Sequence, residues 1–230
     1  MTNTDVSEFT GNLESLGEMF VSAFPTLSFR DQRLALSLYA LLMEARPVSL
    51  SYLSSHTNLS LAYVEETLGV WPEVFYNSDN KITGFLGLTI NKTNHQFKVG
   101  NLIVYTWCAW DSLFIPELLN ATAIITSQCP TTGELIKLKV SPKEIESIFP
   151  DRAIISFLAP SQNALKENVT RNFCQYVNFF SSQTAGQAWN KSHPGSFLLS
   201  LQDAFDIGKK VNITRYPKML TDNKGTGYEN

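Results

Sequence analysis

Two residues able to do chemistry fall three positions apart in the run Tyr105-Thr106-Trp107-Cys108-Ala109-Trp110-Asp111-Ser112-Leu113-Phe114-Ile115-Pro116. On a helical turn that spacing puts the Cys108 thiol and the Asp111 carboxyl on one face, where a soft-metal ligand and a proton donor can work on the same atom. A second thiol, Cys174, lies in an aromatic run from Phe173 to Phe180. Two thiols and an acid make a chemically specific set if the fold brings them together. Each has a plainer reading on its own: a cysteine among aromatics packs as a small hydrophobe, and an aspartate near a helix serves as a surface or capping carboxylate.

The other chemically able residues do not group. Cys129 sits in Cys129-Pro130-Thr131-Thr132-Gly133, which reads as a turn, and is expected to be structural. With Cys108 and Cys174 it makes an odd count, and no two cysteines have the close spacing of a zinc knuckle, so reduced thiols are expected. His56, His95 and His193 lie in unrelated segments without a helical His-x-x-x-His spacing, which argues against a histidine-built metal site.

The elements that must position these groups come from a chain of 230 residues, 43% hydrophobic and 12% aromatic, which can bury a substantial core. A formal charge of −3 offers no broad attraction to nucleic acid or anionic lipid. The polar start, Met1 to Asn12, lacks the apolar stretch of a secretory signal. The run Leu34 to Met43 is too short and too charged at its edges to span a bilayer. A cytoplasmic protein with no membrane and no nucleic-acid partner is the expectation, and the six Asn-x-Ser/Thr sequons then reflect composition.

Apolar spacing predicts a helix over Asp31 to Ala45 stopped by Arg46-Pro47, then helices at Ser49 to Ser55 and at Leu61 to Leu68 opened by Ser60. A hairpin follows over Val74 to Leu88, turning at Asn77 to Lys81. This is the winged-helix order, but the third helix carries Glu65 and Glu66 and no basic residue, which points to a structural module rather than a DNA reader. Strands are predicted at Gly87 to Ile90, His95 to Val99, Leu102 to Thr106, Thr122 to Ser127, Glu134 to Val140 and Ala153 to Leu158. Between the third and fourth of these a helix is expected from near Trp107 to Leu119, with Pro116 in a kink or a fresh first turn. Arg171 to Ser182 reads equally as strand or buried helix; helices follow at Ser182 to Asn190 and Gln202 to Lys210.

The chain resembles the organomercurial (alkylmercury) lyases over roughly residues 30 to 210. The likeness is carried by residues 105 to 116 quoted above, Cys-Pro-Thr-Thr-Gly at 129 to 133, Val-Ser-Pro at 140 to 142, Asn-Phe-Cys-Gln-Tyr-Val-Asn-Phe-Phe at 172 to 180, and Trp189 with His193-Pro194-Gly195. The resemblance implies an α+β fold: a winged-helix-like three-helix module with a hairpin, then a catalytic part with antiparallel sheets and flanking helices. The corresponding divisions are an N-terminal extension (1–29), the module (30–88), the catalytic lyase region (89–215) and a flexible tail (216–230). It further implies a catalytic triad of Cys108, Asp111 and Cys174, the same three holding the mercury of substrate and product. No cofactor is implied. Low-molecular-weight thiols would release Hg(II), a mercuric reductase is a conceivable recipient, and a monomer or weak dimer is suggested. Where many relatives have histidines soon after the distal cysteine this chain has Tyr176 and Asn178, and Trp110 replaces a smaller aliphatic residue.

Elementary chemistry agrees with that assignment. Hg(II) prefers thiolate sulfur, so converging cysteines are its natural trap, and carbon leaves mercury readily only as a protonated hydrocarbon. Asp111 would relay a thiol proton to carbon, which requires shielding from water so that a carboxyl of ordinary pKa about 4 can hold a proton near neutrality. Trp107, Trp110 and Phe114 are candidates for that shield. The competing function is a thiol-based soft-metal binding or sensing protein that retains mercury without turnover; a winged-helix transcription factor is disfavoured by the acidic third helix.

Overall fold

The computed structural model describes residues 13–23, 26–158 and 172–222. Helix α1 (Leu13–Ala23) precedes three helices, α2 (Phe29–Leu42), α3 (Leu50–Thr57) and α4 (Leu61–Val70). Each of the last three starts at a serine, Ser28, Ser49 or Ser60, whose hydroxyl accepts a backbone N–H three residues on and so satisfies one of the donors a helix start leaves open. Asn58 stops α3 in the left-handed conformation (φ 54°). Leu34, Leu38, Leu41 and Leu42 give α2 its buried stripe.

Strands β1 (Val74–Tyr76) and β2 (Ile82–Phe85) form the predicted hairpin, closed by the Asn77 side chain, which accepts the N–H groups of Asp79 and Lys81. The helix-helix-helix-hairpin order is thus present, but the hairpin does not stand alone. β2 pairs with β3 (Leu88–Thr89), and the sheet continues through β5 (Leu102–Thr106), β4 (His95–Val99), β6 (Ala123–Gln128), β7 (Leu135–Val140) and β8 (Ile145–Phe149). All neighbouring strands are antiparallel. Hydrogen bonding therefore runs unbroken across the expected division at residue 88. Along β6 and β7 buried and exposed residues alternate, so one face of this sheet packs inward and the other meets solvent.

A second sheet has β9 (Ile154–Leu158) between β10 (Phe179–Phe180) and β11 (Ser196–Leu199). Helices α5 (Asp111–Leu119), α6 (Gln183–Asn190), α7 (Leu201–Arg215) and α8 (Pro217–Asp222) complete the described elements. α5 and α7 approach closely at Gly208, where a Cβ would stand 2.6 Å from that of Phe114. The arrangement is α+β with antiparallel sheets and flanking helices. No helix of the described residues is long and apolar enough to cross a membrane.

Several elements depart from the sequence reading. The helix expected from Trp107 begins at Asp111, because the N–H groups of Trp107 and Ala109 bond across the chain to the carbonyls of Gly87 and Val177. Residues 13–23 of the expected N-terminal extension form α1, which packs on α7 and buries Leu16 and Phe20. Nor are the first residues of the expected flexible tail loose: Tyr216 is buried and α8 packs on α2, with Gln32 accepting the N–H groups of Lys218 and Met219. The remainder of both segments, 1–12 and 223–230, lies outside the described residues. Within the ambiguous stretch 171–182, residues 172–182 fall in the described part and resolve into a 3-10 turn at Cys174–Tyr176 and the two-residue β10.

Candidate active site

Cys108 lies in the turn between β5 and α5, and Cys174 in the 3-10 turn ahead of β10. One bond stitches the two turns directly: Ala109 N–H donates to Val177 O (3.1 Å), while Val177 N–H closes its own turn on Cys174 O (3.1 Å). Thr106 Oγ1 donates to Cys108 O (2.9 Å), and Ser156 Oγ donates to Tyr176 O (2.6 Å), fixing each turn to its own sheet. As a result the two sulfurs and a carboxylate oxygen of Asp111 all lie within 4.8 Å of one another. The three sequence candidates converge, and all three are buried.

Asp111 opens α5 and turns its carboxylate back over the preceding turn, where Oδ2 accepts Cys108 N–H at 2.9 Å. A helix N-terminus and that hydrogen bond favour the anion, yet burial outweighs them and lifts the carboxyl to a pKa of about 6, with the charge of Glu73 adding to the rise. The space for this carboxylate exists because residue 87 is glycine. Gly87 has φ +95°, and a Cβ there would stand 2.5 Å from Asp111 Oδ1.

Burial pushes the Cys108 thiol well up, and its hydrogen bond to Cys174 and the nearby Asp111 charge act in the same direction. The same hydrogen bond favours the Cys174 thiolate, but desolvation and the charges of Asp111 and Glu73 prevail and leave that thiol raised too. Both sulfurs therefore rest as thiols near neutral pH, with Asp111 the nearby group able to take a proton.

Asp111 and Cys174 face a small cavity, and Cys108 is not among the residues that line it. Trp107, Trp110 and Phe114, expected as shields, all form part of its wall. Trp110 is clamped: its indole N–H donates to Ala204 O (2.8 Å), and its ring lies 4.7 Å from Phe20 and 5.7 Å from Phe173. The wall also contains residues that the sequence did not single out, Gly87 and Tyr39 beside Asp111 and Arg215 and Tyr216 from the end of α7. Gly87 had a readable signal, a glycine at a turn between strands. Tyr39 and Arg215 had none, being ordinary helix residues until the fold faces them inward.

The remaining candidates fall elsewhere. Cys129 is buried in its turn; burial raises its thiol, and hydrogen bonds from Thr132 and the N–H groups of Ser181, Thr132 and Thr131 more than offset this, leaving it lowered. It is outside the Cys108-Asp111-Cys174 group, the one such cluster of potential metal ligands among the described residues. His95 is buried on Ser127 Oγ (2.8 Å), His193 stacks on Trp189 with ring centres 3.7 Å apart, and His56 lies in the last turn of α3. Tyr176 packs edge-on near His193, and Asn178 Nδ2 donates to Gln175 O (3.4 Å).

Residues 88–212 match the family model described as alkylmercury lyase. Alkylmercury lyase of Streptomyces lividans is 36% identical over 174 residues, 76% of this chain and 79% of that protein. Alkylmercury lyase of Staphylococcus epidermidis is 32% identical over 207 residues, covering 90% of this chain and 91% of the relative. Among solved structures, the crystal structure of the mercury-bound form of MerB2 aligns with a TM-score of 0.71 at 22% identity, over 86% of this chain and 96% of that one, which is a likeness of fold.

Proposed function

Since the chain belongs to the alkylmercury lyase family, we propose that it cleaves carbon-mercury bonds by protonolysis, with Cys108, Asp111 and Cys174 as the catalytic residues. The observation that carries this reading is the convergence of two thiols and one carboxyl within 4.8 Å beside a cavity. Two soft ligands can hold mercury, and a carboxyl with a pKa of about 6 can take up and return a proton near neutrality.

An organomercurial R-Hg-X, with X a low-molecular-weight thiolate, meets Cys174 first because that sulfur faces the cavity. Cys174 displaces X, its proton leaving as HX. Cys108 then adds its sulfur to mercury while its proton passes to the Asp111 carboxylate. Mercury now carries two sulfurs and the carbon, and the added donation makes the carbon basic. Protonated Asp111 delivers its proton to that carbon, the Hg-C bond breaks, and RH departs. Hg(II) remains on the two sulfurs until two external thiols take it and reprotonate Cys108 and Cys174. No cofactor enters the balance: R-Hg-X and two thiols yield RH, HX and the mercury dithiolate. A mercuric reductase is a natural recipient of the released thiol complex.

The test is to incubate the reduced protein with phenylmercury and excess thiol and to measure benzene. Turnover is expected for the unaltered chain and not for Cys108→Ala, Asp111→Asn or Cys174→Ala. Stoichiometric mercury retention with no benzene above background would make the protein a mercury binder and defeat the lyase reading.

A further inference from the structure

We propose that Tyr39 is a positioning residue for the proton-delivery step: its hydroxyl fixes the turn Leu86-Gly87, and that turn fixes the carboxylate of Asp111. This rests on the lyase reading above and adds to it a residue from α2, which carries none of the three reacting groups.

The turn joins β2 to β3. Leu86 has φ +35° and Gly87 has φ +95°, so two successive residues take positive φ, and the first of them carries a side chain. Such backbone persists only where its surroundings over-determine it. Three hydrogen bonds do so here. Leu86 N–H donates to Glu73 O at 3.2 Å, Trp107 N–H donates to Gly87 O at 2.8 Å, and Tyr39 O–H donates to Leu86 O at 2.7 Å. The first two join backbone to backbone, and of the three only the last depends on a side chain.

The reacting acid rests against this turn. A Cβ on Gly87 would stand 2.5 Å from Asp111 Oδ1 and 2.6 Å from its Cγ, so the glycine backbone walls one side of the carboxylate. Its other oxygen, Oδ2, accepts Cys108 N–H at 2.9 Å. A turn that shifts toward the acid presses on Oδ1, and one that shifts away frees the carboxylate to rotate. Either takes the proton off its line to carbon, and a misplacement of about 1 Å can cost about a hundredfold in rate.

Tyr39 is placed to hold the turn rather than to react. It is 1% exposed, and its ring lies 5.1 Å from that of Phe85, the residue before the turn. Its one proton is committed to Leu86 O, and burial above all keeps the phenol well above its ordinary pKa of 10, so it stays the donor in that bond. The titratable and charged groups that reach the hydroxyl are Tyr216 and Arg215 from the end of α7 and Asp111 from α5.

Tyr39→Phe keeps the ring on Phe85 and removes only the hydroxyl. With phenylmercury under excess thiol, kcat for benzene release should fall about tenfold or more at an unchanged KM, while the reduced variant still binds Hg(II) stoichiometrically. Leu34→Ala, at a fully buried α2 residue that does not line the cavity, should weaken the fold and leave kcat alone. In a Gly87→Ala background, where the carboxylate is already displaced, Tyr39→Phe should add less than about twofold, because the two changes act through one seat. Parental kcat in Tyr39→Phe overturns the inference and leaves the lyase reading standing. It is equally overturned if Tyr39→Phe loses Hg(II) binding, if Leu34→Ala loses kcat to the same extent, or if the full effect returns in the Gly87→Ala background. No benzene from the unaltered chain would instead sink the lyase reading, and this inference with it.

Discussion

Replacing Asp111 by Asn should abolish turnover and at the same time make the protein more stable. The carboxyl is 6% exposed, and its pKa in the fold is about 6 against an ordinary value of 3.8. A carboxyl whose folded pKa lies above its unfolded one binds its proton more tightly in the fold. Its contribution is intact below the unfolded value and is lost as pH rises through about 6. At about pH 7.5 the ionised group then costs about 3 kcal/mol relative to a neutral side chain, and at about pH 5 roughly half of that. Asparagine carries no charge at either pH, and its carbonyl oxygen can still accept Cys108 N–H, the bond Asp111 makes at 2.9 Å. Urea denaturation of both proteins under reducing conditions should show the variant ahead by up to about 3 kcal/mol near pH 7.5, with the gain roughly halved near pH 5. A variant less stable than the parent, or a gain independent of pH, would refute the account of Asp111 as a carboxyl held under desolvation strain for its chemistry.

Gly87→Ala tests the same carboxylate from the outside. Its Cβ would stand 2.5 Å from Oδ1 on a backbone of φ +95°, so Asp111 must move, and benzene release should fall at least about a hundredfold while stoichiometric Hg(II) binding by the thiols persists. Near-parental turnover would mean that the carboxylate position does not matter. Phe20→Ala should cost about 3–5 kcal/mol in a denaturation experiment, because this fully buried ring packs 4.7 Å from Trp110 and 5.1 Å from Phe173; a loss under about 1 kcal/mol would contradict the packing of α1. Burial lowers His95 from 6.5 to about 4, so its contribution is whole above 6.5 and is lost as pH falls toward 4, by up to about 3 kcal/mol. His95→Gln should flatten the acid limb of stability between those values, and an unchanged limb would show that other groups govern it.

The parts legible in the sequence were those whose signal is local. Apolar stripes placed α2 to α4, helped by the Ser60 cap at α4, and short apolar runs between turn residues placed β6 and β7, because these patterns act within one turn or one pleat. β8 escaped because as an edge strand it has three exposed residues, Glu146, Ser147 and Phe149, among its five, which gives no inward row to read. α1 escaped because its apolar face is written for a partner, α7, nearly two hundred residues away along the chain. Cys108, Asp111 and Cys174 could be singled out only together with the motifs around them, which resemble those of the alkylmercury lyases; alone, each thiol reads as a core residue and the acid as a cap. Tyr39, Gly87 and Arg215 belong to residue types that serve many purposes, and only the cavity gives them a common one.

The late start of α5 shows the same division at the reacting centre. The apolar run from Trp107 to Leu119 suits a helix throughout, and local propensity alone would begin it at Trp107. Helical residues at 107 to 110 would direct their carbonyls and side chains along the helix, and the N–H of Ala109 would not meet Val177. In the fold the N–H groups of Trp107 and Ala109 are spent on Gly87 O at 2.8 Å and Val177 O at 3.1 Å. The first bond docks the Cys108 turn on the strand end that leaves room for Asp111, and the second docks it on the turn that carries Cys174. Interrupting the helix is therefore what assembles the three groups, and the spacing of Cys108 and Asp111, first read as one helical face, works instead through a carboxylate folded back onto the turn before it.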